Sequence, residues 1–255
     1  MTRGEHSPEI GQNCMLPMDD KDVERILFVT AHPDDLDFGA GATIAQWTDA
    51  GIQVSYCICT NGDQGGSDLT ITRDEMRKTR QREQTNAGKV LGVSDIHFLN
   101  YHDGLLEPTI ALRKDIVRVI RKVRPQRLVV QSPERNYDRI FASHPDHLAA
   151  AEAGMQAVYP DCGNPFAFPD LLKDEGLEPW SVSEAWVMTN EFSDHYIDTT
   201  STIDRKIAGL REHVSQIADM DAMAERIREW GAINAKSVGL PEGRFAETFK
   251  VVATK

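Results

Sequence analysis

Thr30-Ala31-His32-Pro33-Asp34-Asp35-Leu36-Asp37 is the stretch that decides the reading of this chain. It follows the apolar run Ile26-Leu27-Phe28-Val29, which reads as a buried strand, and precedes a Gly/Ala-rich helical pattern. A histidine and three acids at the carboxyl end of a parallel strand stand where open α/β sheets bind ligands. Pro33 fixes its own φ and disfavours an immediate helix, so the side chains leave the strand on a shaped turn. His32 and Asp35 are three apart and project the same way if that turn is helical. One imidazole and one carboxylate are two of the three protein ligands of a catalytic zinc site. The third is expected over a hundred residues later, in Ser143-His144-Pro145-Asp146-His147.

Outward from that stretch, apolar runs alternate with helical patterns. Residues 25–30 form the first strand, and 39–50 a helix whose apolar residues include Ile44 and Trp47, with Gly51 as its stop. A β-rich run over 54–59 ends in the loop Asn61-Gly62-Asp63-Gln64-Gly65-Gly66. The charged helix 72–91 closes on Gly92. A short strand at 96–99 leads to His102-Asp103-Gly104, and a helix with the stripe Ile116, Val117, Ile120 and Val123 stops at Pro125. The buried strand 128–130 opens the loop that delivers His144 and His147. These two bracket the first turn of a helix that Ser143 is expected to cap and Pro145 to start.

Such alternation predicts a Rossmann-like α/β fold, a parallel sheet sandwiched by helices. Strands at 184–188 and 196–199 are expected in a second, smaller C-terminal β/α layer. Ser201 is expected to cap a helix with the face Ile203, Ile207, Leu210, Val214 and Ile217, and a further helix carries Met223, Ile227 and Trp230. The stretch 161–179, with three prolines, reads as a long surface loop. Residues 1–22 read as a flexible tail and 23–255 as one domain, with no repeat and no linker.

The chain has 255 residues, 40% of them apolar, which suffices for a full core. Its formal charge of −12 argues against nucleic acid, which needs clustered Lys and Arg. Residues 1–20 lack the basic and apolar regions of a secretory signal, and no run reaches the ~18 apolar residues of a membrane span. Four cysteines without CxxC spacing read as reduced thiols of a cytoplasmic protein. Cys57 and Cys59, two apart on a strand, read as small buried hydrophobes.

Two His-Pro-Asp tripeptides at strand ends of one sheet point jointly to a two-histidine, one-carboxylate zinc centre with an open position for water. The two motifs resemble the signatures of the LmbE-like (PIG-L) zinc-dependent N-deacetylases. The likeness continues through Arg80-Gln81-Arg82-Glu83, Leu91-Gly92-Val93, Asp103-Gly104 and His213-Val214-Ser215-Gln216. It implies metal ligands His32, Asp35 and His147, with Asp34 as general base. His144 would stabilise the oxyanion or protonate the leaving amine, Asp146 would orient His144, and Arg80 would contact substrate. Asp37, where the family often has Glu, and Asp103 are placed with the substrate. The implied reaction is hydrolysis of an N-acyl group, most readily an N-acetyl, on an amino-sugar-containing small molecule.

The residues support that chemistry independently, since amide hydrolysis near neutral pH needs a nucleophile made from water. Competing readings are an amidase acting on another sugar conjugate and an inactive glycan-binding relative, which would be expected to have replaced Asp34 or His144. A nucleotide-binding Rossmann protein is disfavoured, because no glycine-rich phosphate turn follows the first strand. The oligomeric state, homo-oligomer included, is left open.

Overall fold

The computed structural model describes residues 17–138, 140–188 and 191–254. Seven strands form one sheet: β1 (Arg25–Thr30), β2 (Gln53–Thr60), β3 (Asp95–Tyr101), β4 (Arg127–Val130), β5 (Glu184–Met188), β6 (His195–Asp198) and β7 (Ala246–Ala253). Their order is β3-β2-β1-β4-β5-β7-β6. The first five run parallel, while β7 pairs antiparallel with both β5 and β6. From β1 the chain winds outward to β2 and β3, then returns to the other side at β4. The crevice between the carboxyl ends of β1 and β4 is therefore the switch point of the sheet, where ligands bind in open α/β folds.

Both faces of β1 are buried, which is why it reads as a continuous apolar run and not an alternating one. Leu27 and Val29 face the helices α3 (Ile110–Val123) and α4 (Pro145–Gln156) through Ile116, Ile120, Ala149 and Ala153. Ile26 and Phe28 face α1 (Asp35–Asp49) through Leu36, Ile44 and Trp47. The charged helix α2 (Arg73–Leu91) joins the same side through Leu91. Thr72 and Glu75 form its capping box, and Gly92, at φ 85°, closes it in a conformation that favours glycine.

The C-terminal β/α portion departs from expectation in its strands, which extend the main sheet edge to edge and build no separate one. The missing piece is β7, which the sequence reading passed over and which bridges β5 to β6. The helices α6 (Ile203–Leu210) and α7 (Met220–Ser237) do form a further layer, packed outside α1 around Ile207, Met223 and Ile227. α6 begins after Thr202, not Ser201, and ends at Leu210. Val214 is therefore exposed, and the following turn instead sends His213 inward. The stretch 161–179 holds one short helix, α5 (Pro169–Lys173).

α1 begins four residues earlier than the pattern suggested and is kinked at Ala40, within the sequence Gly39-Ala40-Gly41. Glu247 of β7 accepts the backbone N–H groups of Ala42 and Thr43 at 3.2 and 2.8 Å, satisfying donors that the kink frees. Lys206 neutralises the same buried carboxylate at 2.6 Å.

The tail expectation covers residues 1–16, including Cys14, that lie outside the described residues. Its last part is pinned, not flexible. Asp20 accepts from Trp47 Nε1 and pairs with Arg127, and Met18 N–H donates to Glu184. Cys57, Cys59 and Cys162 are free and buried. No helix among the described residues is long and apolar enough to cross a membrane.

Candidate active site

The turn between β1 and α1 has an uncommon backbone. Asp34 sits at φ 90°, a left-handed conformation that costs a residue other than glycine about 1–3 kcal/mol. Three hydrogen bonds hold it there. Its N–H donates to Gln84 Oε1 at 2.6 Å, and Arg80 Nη2 donates to Pro33 O at 2.6 Å and to Asp34 Oδ2 at 3.1 Å. The turn thus presents Asp34 and Asp35 in different directions from adjacent positions.

Asp35 turns toward the histidines. His32 Nδ1 lies 3.2 Å from His147 Nε2 and 3.4 Å from Asp35 Oδ2, and His147 Nε2 lies 3.1 Å from Asp35 Oδ1. Ligand atoms about 2.0–2.1 Å from one tetrahedral ion are about 3.3 Å apart, so this spacing matches a metal-ligand triad. The other nitrogen of His32 decides its tautomer. Nε2 faces Asp103 Oδ1 at 3.1 Å and Asp146 Oδ2 at 3.2 Å, so it carries the proton and leaves the Nδ1 lone pair for a cation. Burial pulls the His32 imidazole down, but Asp35, Asp103 and Asp146 outweigh it and push it up to about 12. Ligand-type atoms of His32, His144 and His147 also lie within 4.8 Å of one another, as do those of His32, Asp103 and Asp146. In the former group, however, His144 Nδ1 is already used.

That use corrects the capping expectation. His144, not Ser143, is the N-cap of α4, and its Nδ1 accepts the N–H of Asp146 at 3.2 Å. Ser143 Oγ instead accepts the N–H of Asn136 at 2.7 Å. With Nδ1 an acceptor, the neutral His144 ring carries its proton on Nε2. Burial, joined by the positive His32, lowers the His144 pKa and keeps it neutral. Its ring stands edge-on to His32 at 4.8 Å.

Asp146 is also not where the motif suggested. Its carboxylate points to His32 and accepts the N–H groups of Gly104 at 2.7 Å and Leu106 at 3.2 Å, so it locks the turn after β3 against His32 and does not orient His144 through its carboxylate. Asp103 joins it on His32 and also accepts the N–H of Gln64 at 3.3 Å. Arg80 is buried, with Gly62 O and Asp103 near its second nitrogen, so the guanidinium positions the β1 turn and faces protein on these sides. Gly62, at φ 64°, must be glycine: a Cβ there would stand 2.6 Å from Arg80 Nη1. The rest of the charge on α2 is peripheral, Arg77 and Lys78 pairing with Asp74 and Arg82 lying exposed. Asp37 is fully buried, bonded to Gln84 Nε2 at 2.8 Å and His213 Nε2 at 2.8 Å, and is thus a support beneath the turn and no part of a substrate surface.

Electrostatically the two adjacent acids diverge. Burial pushes Asp34 up to about 6, against the pull of Arg80 and with a further push from Asp35. Asp35 falls well below the usual carboxylate range, since His147 and His32 overcome its burial. A cavity of about 620 Å³ opens on Asp35 and His147. Its walls include the apolar Phe38, Met188 and Trp230 and the polar Arg135, Asn136 and Glu191.

Sequence reasoning missed Gln84, Phe38 and Trp230 as parts of this neighbourhood. Gln84 had a signal: Met76, Arg80, Glu83, Gln84, Ala87 and Leu91 trace the buried stripe of α2, and the polar members of a buried stripe need partners. Glu83 finds its own in Ser215.

A two-histidine, one-carboxylate donor triad open to a cavity, at the switch point of a parallel sheet and beside a further carboxylate and a neutral imidazole, defines the class of metal-dependent hydrolases. Comparison with known proteins sharpens this. The family described as PIG-L, GlcNAc-PI de-N-acetylase, matches residues 27–158, and the chain belongs to that family of deacetylases. Diacetylchitobiose deacetylase of Thermococcus kodakarensis is 34% identical over 78% of this chain and 72% of its own length. A 1D-myo-inositol 2-acetamido-2-deoxy-alpha-D-glucopyranoside deacetylase of Kineococcus radiotolerans is 28% identical over 80% of this chain and 72% of its own. The solved N,N'-diacetylchitobiose deacetylase of Pyrococcus horikoshii superposes with a TM-score of 0.84 at 28% identity, covering 92% of this chain and 85% of that one.

Proposed function

We propose that the protein hydrolyses the N-acetyl group of an amino sugar within a small saccharide or sugar conjugate, as the named relatives do. One observation carries this reading: three side chains converge, with His32 Nδ1, His147 Nε2 and an Asp35 oxygen toward each of them at 3.1–3.4 Å, and Asp34, a carboxylate outside the triad, is held beside them. His32, Asp35 and His147 would hold a divalent cation, which we take to be zinc. When bound, the cation polarises the amide carbonyl and acidifies water. Everything else belongs to the side chains of this chain. Asp34 takes the proton of the attacking water, and its upward-shifted carboxyl suits a base working near neutrality. The Nε2–H of neutral His144 donates a hydrogen bond to the carbonyl oxygen as charge develops there, and the proton that Asp34 took from water passes to the departing amine. Acetate and the free amine leave. Asp103 and Asp146 keep the His32 proton on Nε2, and Arg80 with Gln84 holds Asp34 in its turn. Free, buried cysteines support a cytoplasmic location.

Metal analysis paired with amine release from N-acetylated sugars tests the proposal. The purified protein should carry about one divalent ion per chain and release amine, and His147→Ala should lose both. Full metal occupancy in His147→Ala would show that another residue completes the triad.

A further inference from the structure

His213 is a fully buried imidazole that does not line the active-site cavity. It lies three residues beyond the end of α6, in a turn closed by the N–H groups of Gln216 and Ile217 on its own carbonyl, both at 3.1 Å. Ser215, in the same turn, gives its N–H and its hydroxyl to the two oxygens of Glu83 at 2.9 and 2.7 Å. His213 Nε2 meets Asp37 at 2.8 Å. The turn therefore grips α2 at Glu83 and α1 at Asp37. Gln84, the next residue on α2, bonds to the same Asp37 at 2.8 Å.

The polarity of these bonds is fixed. Asp37 Oδ2 takes both His213 Nε2 and Gln84 Nε2, and a carboxylate only accepts. His213 thus donates through Nε2, and the Gln84 amide must turn its nitrogen to Asp37. Its oxygen then faces the other way, where it accepts the N–H of Asp34 at 2.6 Å. An amide turned over would set its NH₂ against that N–H, donor against donor. Asp37 selects the orientation of Gln84, and His213 holds Asp37. His213 Nδ1 is buried with no partner among the described residues, so the bond to Asp37 is what fixes the ring by polar contact. Without it, a buried carboxylate is short of a donor, and such a group draws on whatever neighbour can move.

The far end of this row is the general base. Arg80 grips Pro33 O and the Asp34 carboxylate, while Gln84 grips the Asp34 N–H, and together they keep the turn at its left-handed φ of 90°. We propose that His213 is a positioning residue for the reaction: through Asp37 and Gln84 it fixes the backbone of Asp34, and so the carboxylate that takes the proton of water. The inference rests on the hydrolase reading above. It gives the turn after α6 a part in the chemistry without contact with substrate or metal.

The test uses the metal-loaded full chain with N,N'-diacetylchitobiose as substrate. In His213→Gln the amide nitrogen stands where Nε2 was and still reaches Asp37, whereas in His213→Asn it stands in the place of Nδ1 and does not. His213→Asn should lower kcat by roughly 10–100-fold, with KM and metal content close to wild type, and His213→Gln should restore most of that loss. Asp37→Asn, which lets the Gln84 amide turn over, should match His213→Asn from the other side. In a Gln84→Ala background, His213→Asn should cost nothing further in kcat. Deuterium exchange at the Asp34 amide, followed by NMR, should quicken by roughly two- to tenfold in His213→Asn and return to the wild-type rate in His213→Gln. A residue that only supports the fold would lower the melting temperature and leave kcat per folded molecule and the Asp34 amide unchanged, which overturns the proposal. The same loss of kcat from His213→Asn with and without Gln84 overturns the route through that amide. If the wild type does not deacetylate the sugar while the Asp34 amide still tells His213→Asn from His213→Gln, the positioning network stands and the hydrolase reading falls.

Discussion

Two buried clusters of charge sit at opposite ends of the same sheet. At the amino end, Arg127 and Glu184 are neighbours in register on β4 and β5, joined at 2.6 Å with both side chains buried. Asp20 takes a second nitrogen of the guanidinium and Met18 O the third, while the indoles of Trp186 and Trp47 stand at 4.1 and 5.0 Å. At the carboxyl end, Asp34, Asp35, Asp103 and Asp146 gather about His32 with Arg80 as the guanidinium among them. The first cluster is closed: donors meet acceptors and the pair is sealed by aromatic rings. The second carries more acid than its guanidinium can balance, and it opens on a cavity. A buried charge cluster that satisfies itself is architecture, and one that leaves room for a cation is chemistry.

Three substitutions test that division. The largest effect is expected at Asp34→Asn, which keeps shape and hydrogen bonding but cannot accept a proton. Turnover should fall by roughly 10²–10⁴-fold with metal content unchanged, read from steady-state kinetics beside metal analysis. Metal lost together with activity would move Asp34 into the triad. Next comes Arg127→Met in the closed cluster. Uncovering buried Glu184 should cost about 3–5 kcal/mol in denaturant unfolding, while turnover per folded molecule stays at the wild-type value. A variant as stable as wild type would mean the two ends do not differ in kind. The smallest effect is expected at Asp103→Asn, where one of the two carboxylates on His32 Nε2 loses its charge. Metal affinity should weaken by roughly 10–100-fold in a chelator competition, the usual worth of such an outer partner. Unaltered affinity would leave Asp146 as the sole support of that imidazole.

The carboxyl-end cluster was largely legible because its residues arrive in two short motifs, each at the end of an apolar run. A strand-end turn concentrates functional groups locally, and local sequence shows it. What could not be read was the direction of each side chain. Asp37 looked like part of the mouth and is buried, because its place on α1 turns it toward His213, a residue 176 positions away. Asp146 looked like the partner of its neighbour His144 and faces His32 across the crevice. The closed cluster was invisible for the same reason: Arg127 precedes the expected strand 128–130 and drew no reading, and only the parallel neighbour β5 explains why an arginine is buried there. β7 escaped notice because Phe249, Val251 and Val252 form a short run without a motif, and its position between β5 and β6 follows from pairing alone.

The Glu247 bond to the kinked start of α1 has a consequence for the order in which the molecule is made. Glu247 is carried by the strand that follows all the others in the chain, yet it completes the helix that leads out of the first motif. The bond spans 204 and 205 positions, so loop-closure entropy must be met before the contact forms. During synthesis, β1 to β5 can assemble while β6 still lacks the neighbour that joins it to the sheet. Until β7 docks, the freed N–H groups of α1 lack their acceptor and Lys206 lacks its counter-ion. A sheet of β1 to β5 can therefore stand before the kinked start of α1 is braced. An unpaired edge along β5 is exposed during that interval, and the arrival of one strand closes it.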